Sequence, residues 1–411
     1  MKLDLFGPRF KADPYPTYAQ LRDQEPICRR DAAGGRSIWF VTRYDDVSAL
    51  LRDPVHFVKD VRNTMTPAER AQLPPTPDLV GLLGNHMLNL DPPDHTRLRT
   101  LVNKAFTGAV VQRMAPRIQA IADGLLDRVQ RRGRMDLIEE FAFPLPITVI
   151  AELLGVPARD RARFRHWSDA FVTPSVNVQR GAKKVLKMRR RMEDFTGYMR
   201  AIFNERRQSP RDDLITLLLQ AEEAGDRLRE DELFSMVILL IVAGHETVVN
   251  LIGNGVLALL HHPEQMALLR ARPDLIESAV EEMVRFDGPV ERATMRFAAD
   301  DLMVGDHPFG RGDAVSLVLA AADRDPAHFL EPDQFDIARQ PNRHLGFGQG
   351  IHYCLGAALA RLEAKIALGA LLNRLPGLRL ATAEPLRWRG VPILRGLQQL
   401  PVAWDNGWSV R

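Results

Sequence analysis

The segment Phe347-Gly348-Gln349-Gly350-Ile351-His352-Tyr353-Cys354-Leu355-Gly356 constrains this chain more than any other. It sets three glycines around one cysteine and runs directly into a helical pattern, Ala357-Ala358-Leu359-Ala360-Arg361-Leu362-Glu363. Glycine permits a close backbone approach and a positive φ that side chains resist. A cysteine just ahead of a helix lies at the positive end of the helix dipole, among N–H groups without intrahelical partners, and both favour the thiolate. A thiolate held by backbone donors, with Phe347 beside it, suits a large flat metal cofactor. Two other readings compete: a buried structural cysteine at a helix start, and a zinc site shared with His352. The second needs two more ligands that the motif does not offer. The only other cysteine is Cys28, so a disulfide scaffold and a four-cysteine zinc site are both excluded.

The 411 residues are 45% hydrophobic and 26% charged, enough apolar material for a large core. The charge balance of 55 − 52 = +3 gives no global pull toward nucleic acid. The basic runs Arg131-Arg132, Arg189-Arg190-Arg191 and Arg206-Arg207 read as solvated helix faces. The longest unbroken apolar run, Met236 to Ala243, is far below the ~18 residues of a membrane span. An acid and a proline stand where a signal peptide needs an apolar stretch, so a soluble cytoplasmic protein is expected. Helical periodicity dominates from Thr96 to Arg285, as in Ile118-Ile121-Ala122-Leu125-Leu126-Val129, and again over 354–374. Breaks are expected at Pro144/Pro146, Gly155-Val156-Pro157, Pro174 and Pro210. β-type segments fall mainly near 37–60, 294–319 and 386–404, and Pro67 to Pro77 reads as a long irregular loop. With no linker, the expectation is a single domain over 1–411, mainly α with a small β-rich part.

Three further constellations carry chemistry. Ala243-Gly244-His245-Glu246-Thr247 sets an acid and a hydroxyl inside an apolar helical stretch from about Asp231 to His261. Buried polar groups are costly when unpaired, and a Thr hydroxyl competes for the helix carbonyls, so a widened turn able to hold a ligand or water is one reading. A kink with an exposed Glu246 is the other. Glu282 and Arg285, three apart in Glu281-Glu282-Met283-Val284-Arg285, read by themselves as an ordinary surface pair. In Asp91-Pro92-Pro93-Asp94-His95-Thr96-Arg97-Leu98-Arg99, Asp94 reads as a helix N-cap, with His95 and Arg99 on one face. Arg292 reads as exposed, and the His261-His262 doublet as a helix end.

From about Phe10 to Trp404 the sequence resembles the cytochrome P450 family of haem-thiolate monooxygenases, most nearly its soluble bacterial members. The loop Phe347–Gly356 with Leu359-Ala360-Arg361-x-Glu363 resembles the family's haem-binding signature. The resemblance implies a P450-like fold with haem b between the long helix and the loop. Cys354 is then the metal ligand, with Ala243, Gly244, Phe347, Gly348 and Gly356 against the cofactor. His95, Arg99, Arg296 and His352 match its propionate partners. Thr247 and Glu246 match the acid–alcohol pair that steers water and protons to dioxygen. Glu282 and Arg285 match the Glu-x-x-Arg that locks the core. The arginine that the family often adds is Gln334 here, which leaves Arg324 or Arg339 to compensate.

The implied reaction inserts one oxygen atom of O2 into an organic substrate, as hydroxylation or epoxidation. Val242, Ala243, Val290, Ala293, Ile393 and Leu394 match pocket positions, and all are aliphatic. A largely apolar substrate follows, from natural-product, terpenoid, steroid or fatty-acid metabolism. No dinucleotide-binding glycine motif is present. Electrons from NAD(P)H must therefore arrive through separate proteins, a ferredoxin (or flavodoxin) and its reductase. Lys104, Arg113 and Arg343 are candidates for a basic docking face. A monomer without nucleic-acid or membrane partners is expected. A peroxide-using or rearranging haem-thiolate enzyme, and a non-catalytic haem sensor, are the rival readings.

Overall fold

Ser37-Ile38-Trp39-Phe40-Val41 combines β-branched and aromatic residues, the composition of a half-buried strand. In the computed structural model, which describes Leu5 and residues 7–31, 37–74, 84–172 and 182–405, it pairs antiparallel with Ile27–Asp31, Ile27 opposite Val41. Ala314–Leu317 lies parallel on its other side, followed by Arg296–Ala298 and Phe57–Val58, which completes a five-stranded sheet. Trp39 stacks on Phe309 at 4.4 Å between ring centroids, amid buried Val41, Val47, Phe57, Val315 and Leu317.

The chain forms two compact units. The first comprises the described residues of 1–65, 115–145 and 247–411. It holds that sheet and a three-stranded one of Arg379–Leu380, Pro401–Ala403 and Arg134–Asp136. Its helix Ala357–Arg374 packs on Ala115–Val129 and Ile276–Asp287. The periodic residues Ile118, Ile121, Ala122, Leu125, Leu126 and Val129 are all buried, as an amphipathic stripe requires.

The second unit comprises the described residues of 66–114 and 146–246. Its helices include Asp94–Ala105, Arg161–Val172, Ala182–Gln208, Leu214–Gln220 and the leading half of Glu230–His261. Asp213 caps Leu214–Gln220 by accepting from the Thr216 N–H at 2.8 Å. The same carboxylate takes the Arg206 guanidinium at 2.5 Å. Arg206 is 2% exposed and also bonds the Gly155 carbonyl, which corrects the solvated reading for Arg206, while Arg207 is exposed.

Glu230–His261 carries three acids in its first turn, where the helix dipole favours them. It is long and apolar enough to cross a membrane by composition, yet most of its apolar length is buried within the protein, as in a core helix. It ends at the expected doublet, and His262 opens the next helix.

Several boundaries differ from expectation. Pro67–Ala71 is a helix closed by a Thr66/Glu69 capping box, so the proline-rich stretch begins ordered. Residues 75–83, and the break expected at Pro174, lie outside the described residues. The helical middle is interrupted by Arg134–Asp136 and by the short pair Glu222–Glu223 and Asp226–Arg227, all too brief to show alternation. Over 386–404 only Pro401–Ala403 is a strand; two isolated pairs, Val290 with Leu394 and Trp388 with Leu397, account for the remaining β character.

Candidate functional site

The cysteine loop is held by its own backbone. The Gly348 N–H donates to the Leu345 carbonyl at 2.7 Å and the Cys354 N–H to the Phe347 carbonyl at 2.9 Å. Gly350 has φ +70°, and a Cβ there would stand 2.6 Å from the Leu51 carbonyl oxygen, so no larger residue fits. Cys354 is half-buried, three residues ahead of the helix Ala357–Arg374, rather than within it. Neither cysteine forms a disulfide. Among the described residues no three His, Cys, Asp or Glu side chains cluster for a metal ion, which leaves the zinc reading without its ligands.

Charge pairs brace this loop. Arg361 lies over the Phe347 ring at 4.2 Å and donates to Glu281 at 2.6 and 2.8 Å. His344 meets the same carboxylate at 3.1 Å. Burial alone would raise the Glu281 carboxyl, but hydrogen bonds from Arg361 and His344 prevail and hold it at about 2. Beneath them, Glu282 and Arg285 are both wholly buried and joined by two bonds of 2.7 and 2.8 Å. The surface-pair reading is therefore wrong. Arg285 also donates to the carbonyls of Asp323, Pro332 and Gln334, while Glu282 accepts from the Asp336 N–H, Asn342 and Arg339. Arg339 thus supplies the cation where Gln334 stands, at 3.2 Å from Glu282. Arg324 instead bonds Asp333 and the Phe286 carbonyl.

On Glu230–His261, Glu246 is 6% exposed, which removes the exposed-acid reading. Ala243 is exposed and Leu240, Gly244 and Thr247 are half-buried, one stripe at helical spacing flanked by buried Ile241, His245 and Val248. The helix runs continuously through this stripe.

The remaining site residues divide between the two units. In the second, Asp94 is the first residue of its helix, behind Pro93, rather than its N-cap. His95 is 2% exposed and Arg99 half-buried. Burial and the Arg99 charge hold the His95 imidazole below its usual range. In the first unit, Arg296 is 2% exposed and donates to the carbonyls of Phe57 and Leu51, each at 3.2 Å. Leu51 is the residue against which Gly350 packs, so Arg296 sits beside the cysteine loop. His352, half-buried, ends the turn Gly350–His352.

Val290 pairs with Leu394, the Glu291 N–H donates to the Ile393 carbonyl at 2.9 Å, and the Ala293 N–H to the Leu317 carbonyl at 2.9 Å. These contacts bring Val290, Ile393 and Leu394 together, with Ala293 three positions along the same segment and Ile393 37% exposed despite its apolar side chain. Val242 is half-buried on the long helix. Arg292 is a correction: it is 3% exposed, donates to the Leu5 carbonyl at 2.8 Å and pairs with Glu291 at 3.1 Å. No local signal showed its burial, because Leu5 and Tyr18, which it also bonds, come from the beginning of the chain.

These residues fit a haem. A Cβ on Gly356 would meet nothing within 4 Å, and one on Gly348 only the His352 carbonyl at 3.9 Å, so the loop leaves room beside the thiol. A soft sulfur at a helix start, with buried arginine and histidine elsewhere, matches a metal ring bearing carboxylates. The cytochrome P450 family profile matches residues 30–376. The monooxygenase PikC of Streptomyces venezuelae is 46% identical over 99% of this chain and 95% of its own. The vitamin D(3) 25-hydroxylase of Pseudonocardia autotrophica is 45% identical over 97% of this chain and 96% of its own. The solved structure of PksS, a cytochrome P450 of the bacillaene polyketide synthase of Bacillus subtilis, has a TM-score of 0.89 and 40% identity over 98% of this chain and all of its own. The chain therefore belongs to the cytochrome P450 family, and it is a haem b monooxygenase that uses O2, an organic substrate and electrons passed from NAD(P)H by redox partner proteins.

Proposed function

We propose that Cys354 is the thiolate that holds the haem iron, with Phe347, Gly348 and Gly356 against the ring and His95, Arg99, Arg296 and His352 on its carboxylates. The observation that carries this reading is the half-buried Cys354, at a helix start in a glycine loop closed by its own N–H. Haem, when bound, supplies the activation of O2 and the insertion of one oxygen atom into the substrate, the other leaving as water. The chain supplies ligand, protons and a dry pocket. Ala243 presents little bulk at an exposed position of the helix, which supports room beside it for a planar ring and a small gas molecule. The Thr247 hydroxyl holds a water by donating or accepting one hydrogen bond, and Glu246 relays protons toward it from its buried position. Glu282, Arg285 and Arg339 keep the cysteine loop in register. Both units act as one catalytic domain.

The aliphatic set Val242, Ala243, Val290, Ala293, Ile393 and Leu394 supports a largely apolar substrate. That the similar PksS belongs to a polyketide synthase and the Pseudonocardia relative is a vitamin D(3) 25-hydroxylase supports a natural-product or steroid-like molecule. A ferredoxin or flavodoxin and its reductase deliver the electrons, the enzyme works as a cytoplasmic monomer, and no nucleic acid takes part. Exposed Arg343, with Lys104 and Arg113, supplies positive charge for an acidic donor.

The test is optical. Reduced protein under carbon monoxide shows the red-shifted Soret band of thiolate-ligated haem, Cys354→Ala abolishes it, and Cys28→Ser leaves it unchanged. A band at the position of histidine-ligated haem in freshly prepared wild-type protein overturns the ligand assignment.

A further inference from the structure

The first unit contains a buried charge network that the reaction does not use. Lys11, on the short helix Pro8–Ala12, is 2% exposed, and its ammonium donates to the Glu291 carboxylate at 2.6 Å and to the Leu394 carbonyl at 3.4 Å. Glu291 is fully buried and also accepts from the Tyr18 hydroxyl and pairs with Arg292. Arg395, 3% exposed, donates to the Lys11 carbonyl at 2.5 Å and to Asp287 at 2.5 Å. Tyr15 donates to the same Asp287 carboxylate. Every anion is thus met by a cation or a hydroxyl, so the network is satisfied.

Its position gives it a use. Glu291 stands between Val290 and Ala293, and Leu394 and Arg395 follow Ile393. Lys11 therefore bridges the two segments that carry four of the proposed pocket residues, one through a side chain and the other through a carbonyl. The backbone bonds between those segments are few: Glu291 and Arg292 to the Ile393 carbonyl, and the Arg395 N–H to the Pro289 carbonyl. An apolar packing of the same volume would hold the segments together but would tolerate a sliding of one past the other. A charge fastened at 2.6 Å to one segment and directed at a carbonyl of the other tolerates much less.

We propose that Lys11 and Glu291 are positioning residues that set the separation of Val290 and Ala293 from Ile393 and Leu394, and so the fit of an apolar substrate. The proposal rests on the pocket assignment above. Two nitrogen ligands read it in the holoenzyme: imidazole, which needs only the haem, and 4-phenylimidazole, which also needs an ordered apolar wall. Dissociation constants come from the Soret shift. Lys11→Met and Glu291→Gln, each of near-native volume, should weaken 4-phenylimidazole about 5-fold or more with imidazole unchanged, and Lys11→Arg should restore wild-type values. Hydrogen exchange at the amides of 290–292 and 393–395 should quicken in the first two variants and not in the third. If neither single variant folds, the double variant Lys11→Met with Glu291→Gln removes both charges and should show the same selective loss. Leu394→Phe separates the two ideas. If it changes 4-phenylimidazole affinity while the Lys11 and Glu291 variants match wild type in both ligands and in exchange, the positioning role is overturned and the pocket stands. If Leu394→Phe is also silent, the pocket assignment fails and the proposal falls with it.

Discussion

The cluster around Glu282 and the centre of the long helix around Thr247 are built on opposite principles. In the first, a carboxylate and two arginines are removed from water and every one is paired or bonded to a carbonyl. In the second, an apolar helix that is buried on either side shows one stripe, Leu240, Ala243, Gly244 and Thr247, that is half-buried apart from the exposed Ala243. Buried charge with full pairing is rigid, because any displacement strands an ion in a low dielectric. A half-buried stripe contributes less to stability than a paired buried charge, and its substitution is better tolerated. The fixed geometry of the charge cluster thus lies against the loop that carries the cysteine, while the helix stripe consists of small and half-buried residues.

Breaking the first region has the largest effect. Arg285→Ala leaves Glu282 without its main partner and three carbonyls without a donor. Loss of one member of such a buried pair costs about 3–5 kcal/mol. Urea unfolding of the holoprotein should show that loss, and the thiolate band should be lost with it. An unchanged midpoint would mean the cluster is not the brace described here.

The helix stripe should behave in the reverse way. Thr247→Ala should shift the unfolding midpoint by less than about 1 kcal/mol, since the residue is only half-buried. Product formed per NAD(P)H oxidised, in a reconstituted system with a verified substrate, should fall by about 10²-fold as reduced oxygen escapes as peroxide. Glu246→Gln should instead slow NAD(P)H oxidation itself. Wild-type coupling and rate in Thr247→Ala would make this threonine a packing residue only.

A smaller, pH-dependent effect sharpens the contrast within the first region. Glu281 is held at about 2 against an ordinary value of 4.5. Its stabilising contribution is complete above the unfolded value and is lost as pH falls through the window between the two. Asp323, whose side chain accepts from the Leu345 N–H, is pushed the other way by burial, up to about 7. Its contribution is fullest in acid and is lost as pH rises from the ordinary carboxylate range toward 7. Glu281→Gln should therefore flatten the acid limb of stability against pH, and Asp323→Asn the limb between about 4 and 7. Unchanged limbs would show that these carboxyls do not report on the brace.

Much of this was readable along the chain, and the reason is chemical locality. The cysteine, its glycines and the following helix lie within one short segment, so spacing alone points to a thiolate at a helix start. The amphipathic stripe of Ala115–Val129 follows from period in the same way. The readings that failed share another property. Arg292 and Arg206 looked solvated because arginine usually is, and the Glu282–Arg285 pair looked like a surface pair because its spacing is common there. Each is buried in the fold by partners that pattern cannot pair with it: Leu5 for Arg292, Gly155 for Arg206, and Arg339 for Glu282.

The sequence by itself determined the chemistry available: one thiol in a glycine loop, an acid beside an alcohol in an apolar helix, aliphatic residues at pocket positions. Periodicity and turn residues are local quantities, fixed by the backbone geometry of a few neighbours. Tertiary structure alone decided which charges are buried and with whom. It put Arg339 in the place left by Gln334 and brought Lys11 of the first helix to Glu291 and Leu394. Whether a charge can leave water depends on the partners that surround it in space, and those partners here lie 57 and 280 positions apart in the chain.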